Sequence, residues 1–136
     1  MKTIPEEYKF YTNSKLMKQI AKLAHQENEY VGQTSSVSLS SLFQILNGTS
    51  TNHLSKILDL GCGNGAFTIE IAKKFKCFVK GIDFSNELIT EAKMKTNGQK
   101  LSDFCTFSIE NLSELKETEN NYFDILICVG SLYWGA

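Results

Sequence analysis

The chain has 136 residues, 42% of them hydrophobic, with 14 Lys and Arg against 15 Asp and Glu, which is enough for one globular domain with an apolar core and too little for two of ordinary size. This near balance of charge excludes the basic footprint of a general nucleic-acid binder, the apolar runs, such as 125–130, are far short of the roughly 20 residues of a membrane helix, and residues 1–10 are too polar for a secretory signal. A cytoplasmic protein that handles small molecules is therefore expected, and its cysteines, Cys62, Cys77, Cys105 and Cys128, with no CxxC pair or His-rich neighbourhood, are expected to be free buried thiols rather than zinc ligands.

Residues 5–26 carry Leu16, Ile20 and Leu23 at helical spacing, with Met17 and Ala24 beside them, and Pro5 suits a first helical turn. After a polar stretch over 33–36, Leu39, Leu42, Phe43 and Leu46 again fall at helical intervals, and Gly48 supplies a stop. These two helices are expected to form an N-terminal helical cap, residues 1–54. From there the pattern changes to short apolar runs at 56–60, 77–82, 104–109 and 123–129, each the length of a buried strand. A helix is expected between the first two runs over 66–75, with Phe67, Ile71 and Phe75 on one side. Another is expected over 85–95, capped by Ser85 and closed by Asn97 and Gly98. Strand alternating with helix implies an α/β fold with a parallel sheet, because parallel neighbours need a crossover and the crossover is right-handed.

The segment ILDLGCGNGA, residues 57–66, carries the chemistry. A strand that runs into glycines and then a helix lets backbone approach a ligand at the carboxyl edge of a sheet, with helix N–H groups pointed at it. Gly61, Gly63 and Ala66 also satisfy the dinucleotide GxGxxG/A pattern, which alone is weak. Asp59 is a carboxylate one residue from the end of an apolar strand, which is expensive unless hydrogen-bonded or facing a site. It is read both as a group beneath the ligand and as a structural tie for the loop. Asp83 ends the second strand, 22 residues after Gly61, where an acid can accept from both hydroxyls of a ribose. Helix capping is the simpler role, but Ser85 is the better cap. Phe84 offers an apolar face to a base or belongs to the core.

ILDLGCGNGAFTIEIA resembles motif I of the class I S-adenosylmethionine-dependent methyltransferases, and GIDFSNELITEAK resembles the ribose segment that follows it. TFSIENLSEL and YFDILICVGSLYW stand where that family has its third and fourth strands, so the resemblance covers most of residues 55–134. It implies a Rossmann-like parallel sheet in the order 3-2-1-4, flanked by helices, with residues 55–136 as an S-adenosylmethionine-binding half-domain. It also implies S-adenosyl-L-methionine as cofactor. Asp59 and the loop of Gly61, Cys62, Gly63 and Gly65 would hold the methionine end, and Asp83 the ribose. Asn111 falls where the family has Asp to accept from the adenine amine, and an amide oxygen accepts the same bond; the backbone of Leu112 would serve the ring nitrogen. Gly130 and Ser131 end the fourth strand, where methyl group and acceptor meet. No metal site is expected. No residue is assigned as catalytic, because the sulfonium already activates the methyl group and the protein's contribution is alignment and exclusion of water.

Tyr133 and Trp134 are candidates for an acceptor pocket or for core packing. The Pro-Pro-aromatic motif of nucleic-acid amino methyltransferases and the Pro-Cys nucleophile of cytosine-C5 enzymes do not appear, so a small-molecule acceptor is expected. His25 and His53 read as exposed, Tyr11 and Tyr30 as amphipathic core residues, and Glu87, Glu91 and Lys95 as a solvated helical face. The full family fold resembles a seven-stranded sheet, and this chain is expected to stop after strand 4, as a fragment or as a half completed by a partner or by self-association along that strand. Two further readings stand beside the enzyme: an inactive cofactor-binding or interaction module, and a nicotinamide-dependent oxidoreductase suggested by the same glycines and acid.

Overall fold

Local sequence already determines where each element starts. Ser14, Ser38 and Ser85 stand immediately before α1 (Lys15–Ala24), α2 (Leu39–Gly48) and α4 (Asn86–Gly98), and each serine hydroxyl accepts from the backbone N–H three residues on, satisfying a donor that the first helical turn leaves without a partner. The remaining elements are β1 (Lys56–Leu60), α3 (Ala66–Phe75), β2 (Phe78–Asp83), β3 (Cys105–Ile109) and β4 (Ile125–Cys128). The computed structural model describes residues 14–129 except 27, 34, 114 and 116–121. Pro5, Tyr11, Gly130, Ser131, Tyr133 and Trp134 lie outside the described residues.

The expected boundaries of β1 and α3 match, β2 shifts by one residue, β3 loses one, and β4 is shorter by two residues at its start and one at its end. Helix ends differ more. Gly48 and Gly98 stay inside their helices, and Thr49 and Gln99 cap them. The left-handed turn that closes α3 is made by Lys76, at φ 55°, rather than by a glycine.

All strand pairings are parallel, and the sheet order is β3-β2-β1-β4. The chain steps from β1 to β2 to β3 in one direction, so two right-handed crossovers put α3 and α4 on the same face of the sheet, and both helices pack on β2 and β3. It then returns across the sheet to β4 on the far side of β1. Asp124 fixes that return: its carboxylate accepts from the Lys56 N–H at 2.8 Å while its own N–H donates to the Lys56 carbonyl at 2.8 Å. The crevice where strand order reverses, between the carboxyl ends of β1 and β4, is where open α/β sheets bind ligands.

One core joins these layers, with Leu42 and Leu46 of α2, Ile57 of β1, Phe67, Ile69 and Ile71 of α3, Val79 of β2, Ile89 of α4 and Phe107 of β3 buried together. In sequence β4 is apolar on both faces, as a central strand is. Its Ile125 and Ile127 do pack on the core, but Leu126 is 60% exposed, because among the described residues no element covers the outer face of that strand.

Phe107 determines two glycines at once. A Cβ on Gly81, in the middle of β2, would lie 2.8 Å from the ring, and one on Gly65, which ends the glycine loop at φ +77°, would lie 2.7 Å from it and 2.9 Å from the Ala92 methyl. Gly65→Ala therefore meets both a left-handed backbone and a closed core. Its expected cost is about 3 kcal/mol, combining roughly 1–2 for the backbone with about 1–3 for overpacking. Urea unfolding reads this directly, and Phe107→Leu in the same chain should return part of the loss.

Candidate ligand site at the carboxyl edge of the sheet

β1 delivers Asp59 to the edge of the sheet and β2 delivers Asp83. The parallel register sets Asp59 opposite Gly81 and Asp83 opposite Ile109, so the glycine loop, both acids, Phe84 and residues 110–112 come to the same edge. Both carboxylates are buried, at 4% and 2% exposure.

Asp83 holds the loop. One carboxylate oxygen accepts from the Gly63 N–H at 3.0 Å and the other from the Ser85 N–H at 2.9 Å, while the Asp83 carbonyl accepts from the Glu110 N–H at 3.0 Å. Ser85 rather than Asp83 caps α4, which settles the capping question in favour of Ser85. Asp59 accepts from the Thr68 hydroxyl at 2.6 Å, so a side chain of α3 answers the acid at the end of β1. Burial, with the charge of Asp83 adding to it and the Thr68 hydrogen bond opposing it, pushes the Asp59 carboxyl up to about 7.

The loop amides are not the anion cradle that the glycine pattern suggests. The N–H groups of Gly61 and Cys62 both donate to the Ile82 carbonyl, at 2.8 and 2.9 Å, that of Gly65 donates to Cys62, and that of Gly63 to Asp83. The Ala66 N–H donates to the Asn64 side-chain oxygen at 3.2 Å. Parallel pairing runs on into the loop and uses these donors to fix its shape, and of the helix N–H groups expected to point at a ligand, that of Ala66 is also engaged within the protein. What faces outward is space. A Cβ on Gly63, at φ +56°, would meet nothing within 4 Å. Open backbone beside two buried acids suits a ligand rich in donors or positive charge, and opposes a diphosphate.

Cys62 lies in the loop and is half-buried, with its thiol 2.8 Å from where a Gly81 Cβ would be. Burial, then the charges of Asp59 and Asp83, hold that thiol well above its ordinary range. Burial does the same for Cys105, pushed up to about 12. All four cysteines are free, as expected, but only Cys77 and Cys105 are fully buried; Cys62 and Cys128 are intermediate, because they sit at the open edge. Phe84 is half-buried, Asn111 is exposed, and Leu112 is intermediate. The Asn111 side-chain oxygen accepts from the Ser113 N–H at 2.9 Å, which shapes the turn after β3. Gly130, the remaining candidate, lies outside the described residues.

Other residues at the loop escaped sequence reading. Glu91 and Lys95 are not simply a solvated helical face: they pair at 3.2 Å, and both reach Asn64, Glu91 through its amide and Lys95 through its carbonyl. His25 is half-buried rather than exposed, stacked on Tyr30 and within 3.1 Å of the Ser35 carbonyl, because the segment after α1 folds back on its end. Thr68 looks like an ordinary helix residue. It is the third residue of α3, and its contact with Asp59 was visible only in three dimensions. Among the described residues no group of His, Cys, Asp and Glu is arranged to hold a metal ion, and no helix is long and apolar enough to cross a membrane.

Comparison with known proteins agrees with this architecture. A family model described as a methyltransferase domain matches residues 51–135, more than half of the chain. The malonyl-[acyl-carrier protein] O-methyltransferase of Bacillus anthracis is 34% identical over 86 residues, covering 62% of this chain and 30% of that protein. The ubiquinone biosynthesis O-methyltransferase of Neisseria meningitidis serogroup C is 28% identical over 74 residues, covering 54% of this chain and 31% of that protein. The chain thus spans about a third of the length of these curated relatives. In fold, it resembles a SAM-dependent methyltransferase from Geobacter sulfurreducens, solved in complex with S-adenosyl-L-homocysteine, with a TM-score of 0.70 at 19% identity over 100% of this chain and 47% of that one. Together with the 3-2-1-4 sheet and the glycine loop between two acids, the family match over residues 51–135 shows that the chain belongs to the methyltransferase domain family, with the class I, Rossmann-like arrangement of strands.

Proposed function

We propose that this chain is the cofactor-binding portion of an S-adenosyl-L-methionine-dependent methyltransferase that acts on a small molecule. The observation that carries the reading is the electrostatic character of the edge: two buried carboxylates flank a glycine loop whose amides are engaged within the protein. That arrangement suits a cationic amino acid end and a ribose, and disfavours the pyrophosphate of a nicotinamide dinucleotide. When bound, the cofactor supplies a methyl group already activated by its sulfonium.

The residues have separate tasks in this reading. Asp59 stands under the methionine end, where a carboxylate attracts the ammonium, and the loop of Gly61, Cys62, Gly63 and Gly65 gives room for its chain. Asp83 accepts from the ribose hydroxyls while keeping the loop N–H that it already holds, since each carboxylate oxygen has two acceptor positions. Phe84 and Leu112 border the base, and Asn111 and the Leu112 backbone serve its polar edge; Gly130, outside the described residues, is assigned to the cofactor by the family resemblance alone. Residues 1–54 act as a cap and 55–136 as the cofactor half. The O-methyltransferase names of the relatives support an oxygen atom on the acceptor rather than a nucleic-acid base, and a cytoplasmic location belongs to the same reading. The outer edge of β4 is the surface offered for self-association, and sedimentation at rising concentration tests it: a monomer throughout removes that part.

Calorimetric titration of the purified protein with S-adenosylmethionine and S-adenosylhomocysteine, with NAD as control, tests the main reading. Heat from the two sulfur compounds and none from NAD is the expected result. A folded protein that takes up neither, or prefers NAD, overturns it.

A further inference from the structure

Residues 29–33 and 35–37 form a strap that is joined to the glycine loop. Gln33, 5% exposed, is its internal pin: the side-chain oxygen accepts from the Val31 N–H at 2.7 Å, and the amide nitrogen donates to the carbonyls of Glu29 at 2.8 Å and Val37 at 3.2 Å. Val31 and Val37 then pack on the common core. The turn so formed sets Gly32, at φ 101°, with its carbonyl 3.0 Å from the Asn64 side-chain nitrogen. Asn64 is therefore held at both ends. Its oxygen accepts from the Ala66 N–H, closing the first turn of α3, and its nitrogen reaches the strap and, at 3.4 Å, the Glu91 carboxylate.

The position of this contact matters. Asn64 follows Gly63, the residue whose Cβ direction meets only open space, so the strap meets the loop one residue from that opening. We propose that the Asn64 amide is the latch that holds this strap against the glycine loop and so fixes the two together before a ligand arrives. Asn64 is then a positioning residue. It reaches no reacting atom, and it acts by keeping loop and strap ordered together, so that less of the site has to be ordered when a ligand arrives, which preserves affinity. The latch follows from the hydrogen bonds alone; its effect on affinity rests on the cofactor reading above.

Two substitutions separate the latch from the cap. Asn64→Ser and Asn64→Asp both keep an oxygen that can accept from the Ala66 N–H; the aspartate has no donor for the Gly32 carbonyl, and the serine hydroxyl, which can donate, is one bond too short to reach it. In ligand-free protein, amide hydrogen exchange over residues 29–37 is expected to speed up about fivefold in each variant, the factor corresponding to one lost hydrogen bond, with exchange in α3 and the sheet unchanged. The dissociation constant for S-adenosylhomocysteine should rise about fivefold, mainly through faster release, and binding should protect residues 29–37 in the wild type more than in the variants. Unchanged exchange in the strap, acceleration confined to α3, or wild-type behaviour in Asn64→Asp overturns the proposal. If the wild type takes up no S-adenosylhomocysteine, the cofactor reading fails, and the ligand-free exchange still decides the latch.

Discussion

Replacing Asp83 with alanine should lower the affinity for S-adenosylhomocysteine by about two to four orders of magnitude, the sum of two lost charge-assisted hydrogen bonds at about 1.5–3 kcal/mol each. The same carboxylate also orders the site before any ligand arrives, through the Gly63 and Ser85 N–H groups, so the substitution acts twice: it removes an acceptor and loosens the loop that frames the ligand. Asp83→Asn distinguishes these contributions. Its oxygen can still take one of the two backbone donors, but its amide nitrogen faces the other, and affinity should fall by an intermediate amount. Calorimetry reads the affinity, and a thermal melt shows whether each variant is folded. A folded Asp83→Ala protein that binds within tenfold of the wild type would remove Asp83 from the ligand site and leave it as a loop tie.

The Ser85 cap, the α3 boundary and the β1 boundary were readable because each depends on a local rule. A serine just before an apolar helical stripe satisfies a first-turn donor whatever surrounds it, as Ser85 does. Asp83 was readable because its place at a strand end, at a set distance from a glycine loop, is a constraint along the chain. What sequence could not give was partnership between distant residues. Thr68 sits on Asp59 only because α3 crosses back over β1, and Phe107 accounts for Gly65 and Gly81 only because β3 pairs with β2. A glycine in the middle of the apolar strand VKGID did carry a signal, since strand glycines often mark close approach, but it could not name the ring. The engagement of the loop amides was hidden for a related reason: the glycine pattern is common to sites that donate to phosphates and to this loop, whose N–H groups extend the β1–β2 pairing to the Ile82 carbonyl instead.

Substituting Asp59 with asparagine should flatten the dependence of stability on pH and weaken the ligand at once. In the folded chain, burial raises the Asp59 carboxyl from its ordinary 3.8 to about 7, with Asp83 adding to the rise and Thr68 opposing it. The folded state therefore holds a proton that the unfolded chain has released across that interval. Stability falls as pH rises from about 4 to about 7 and is level above, and at about 1.4 kcal/mol for each pH unit the whole loss is about 4 kcal/mol. Asparagine keeps an oxygen for the Thr68 hydroxyl and cannot ionise, so the variant should gain on the wild type by up to that amount between pH 4 and pH 8 in urea unfolding. Asp83 and the thiols of Cys62 and Cys105 face the same volume from β2, the loop and β3. Both thiols are held above their ordinary range by burial and stay neutral across the interval, so Asp59 is the group expected to titrate near neutrality. Ligand binding has the opposite sign. An ammonium placed beside Asp59 favours the charged carboxylate, so wild-type affinity should weaken as pH drops below about 7, by at most about tenfold per unit, with a proton released on binding. The asparagine variant should bind more weakly at pH 8 and lose this slope. A wild type whose affinity is level from pH 5.5 to pH 8 would mean that Asp59 does not meet the charged end of the ligand and serves only to tie β1 to α3.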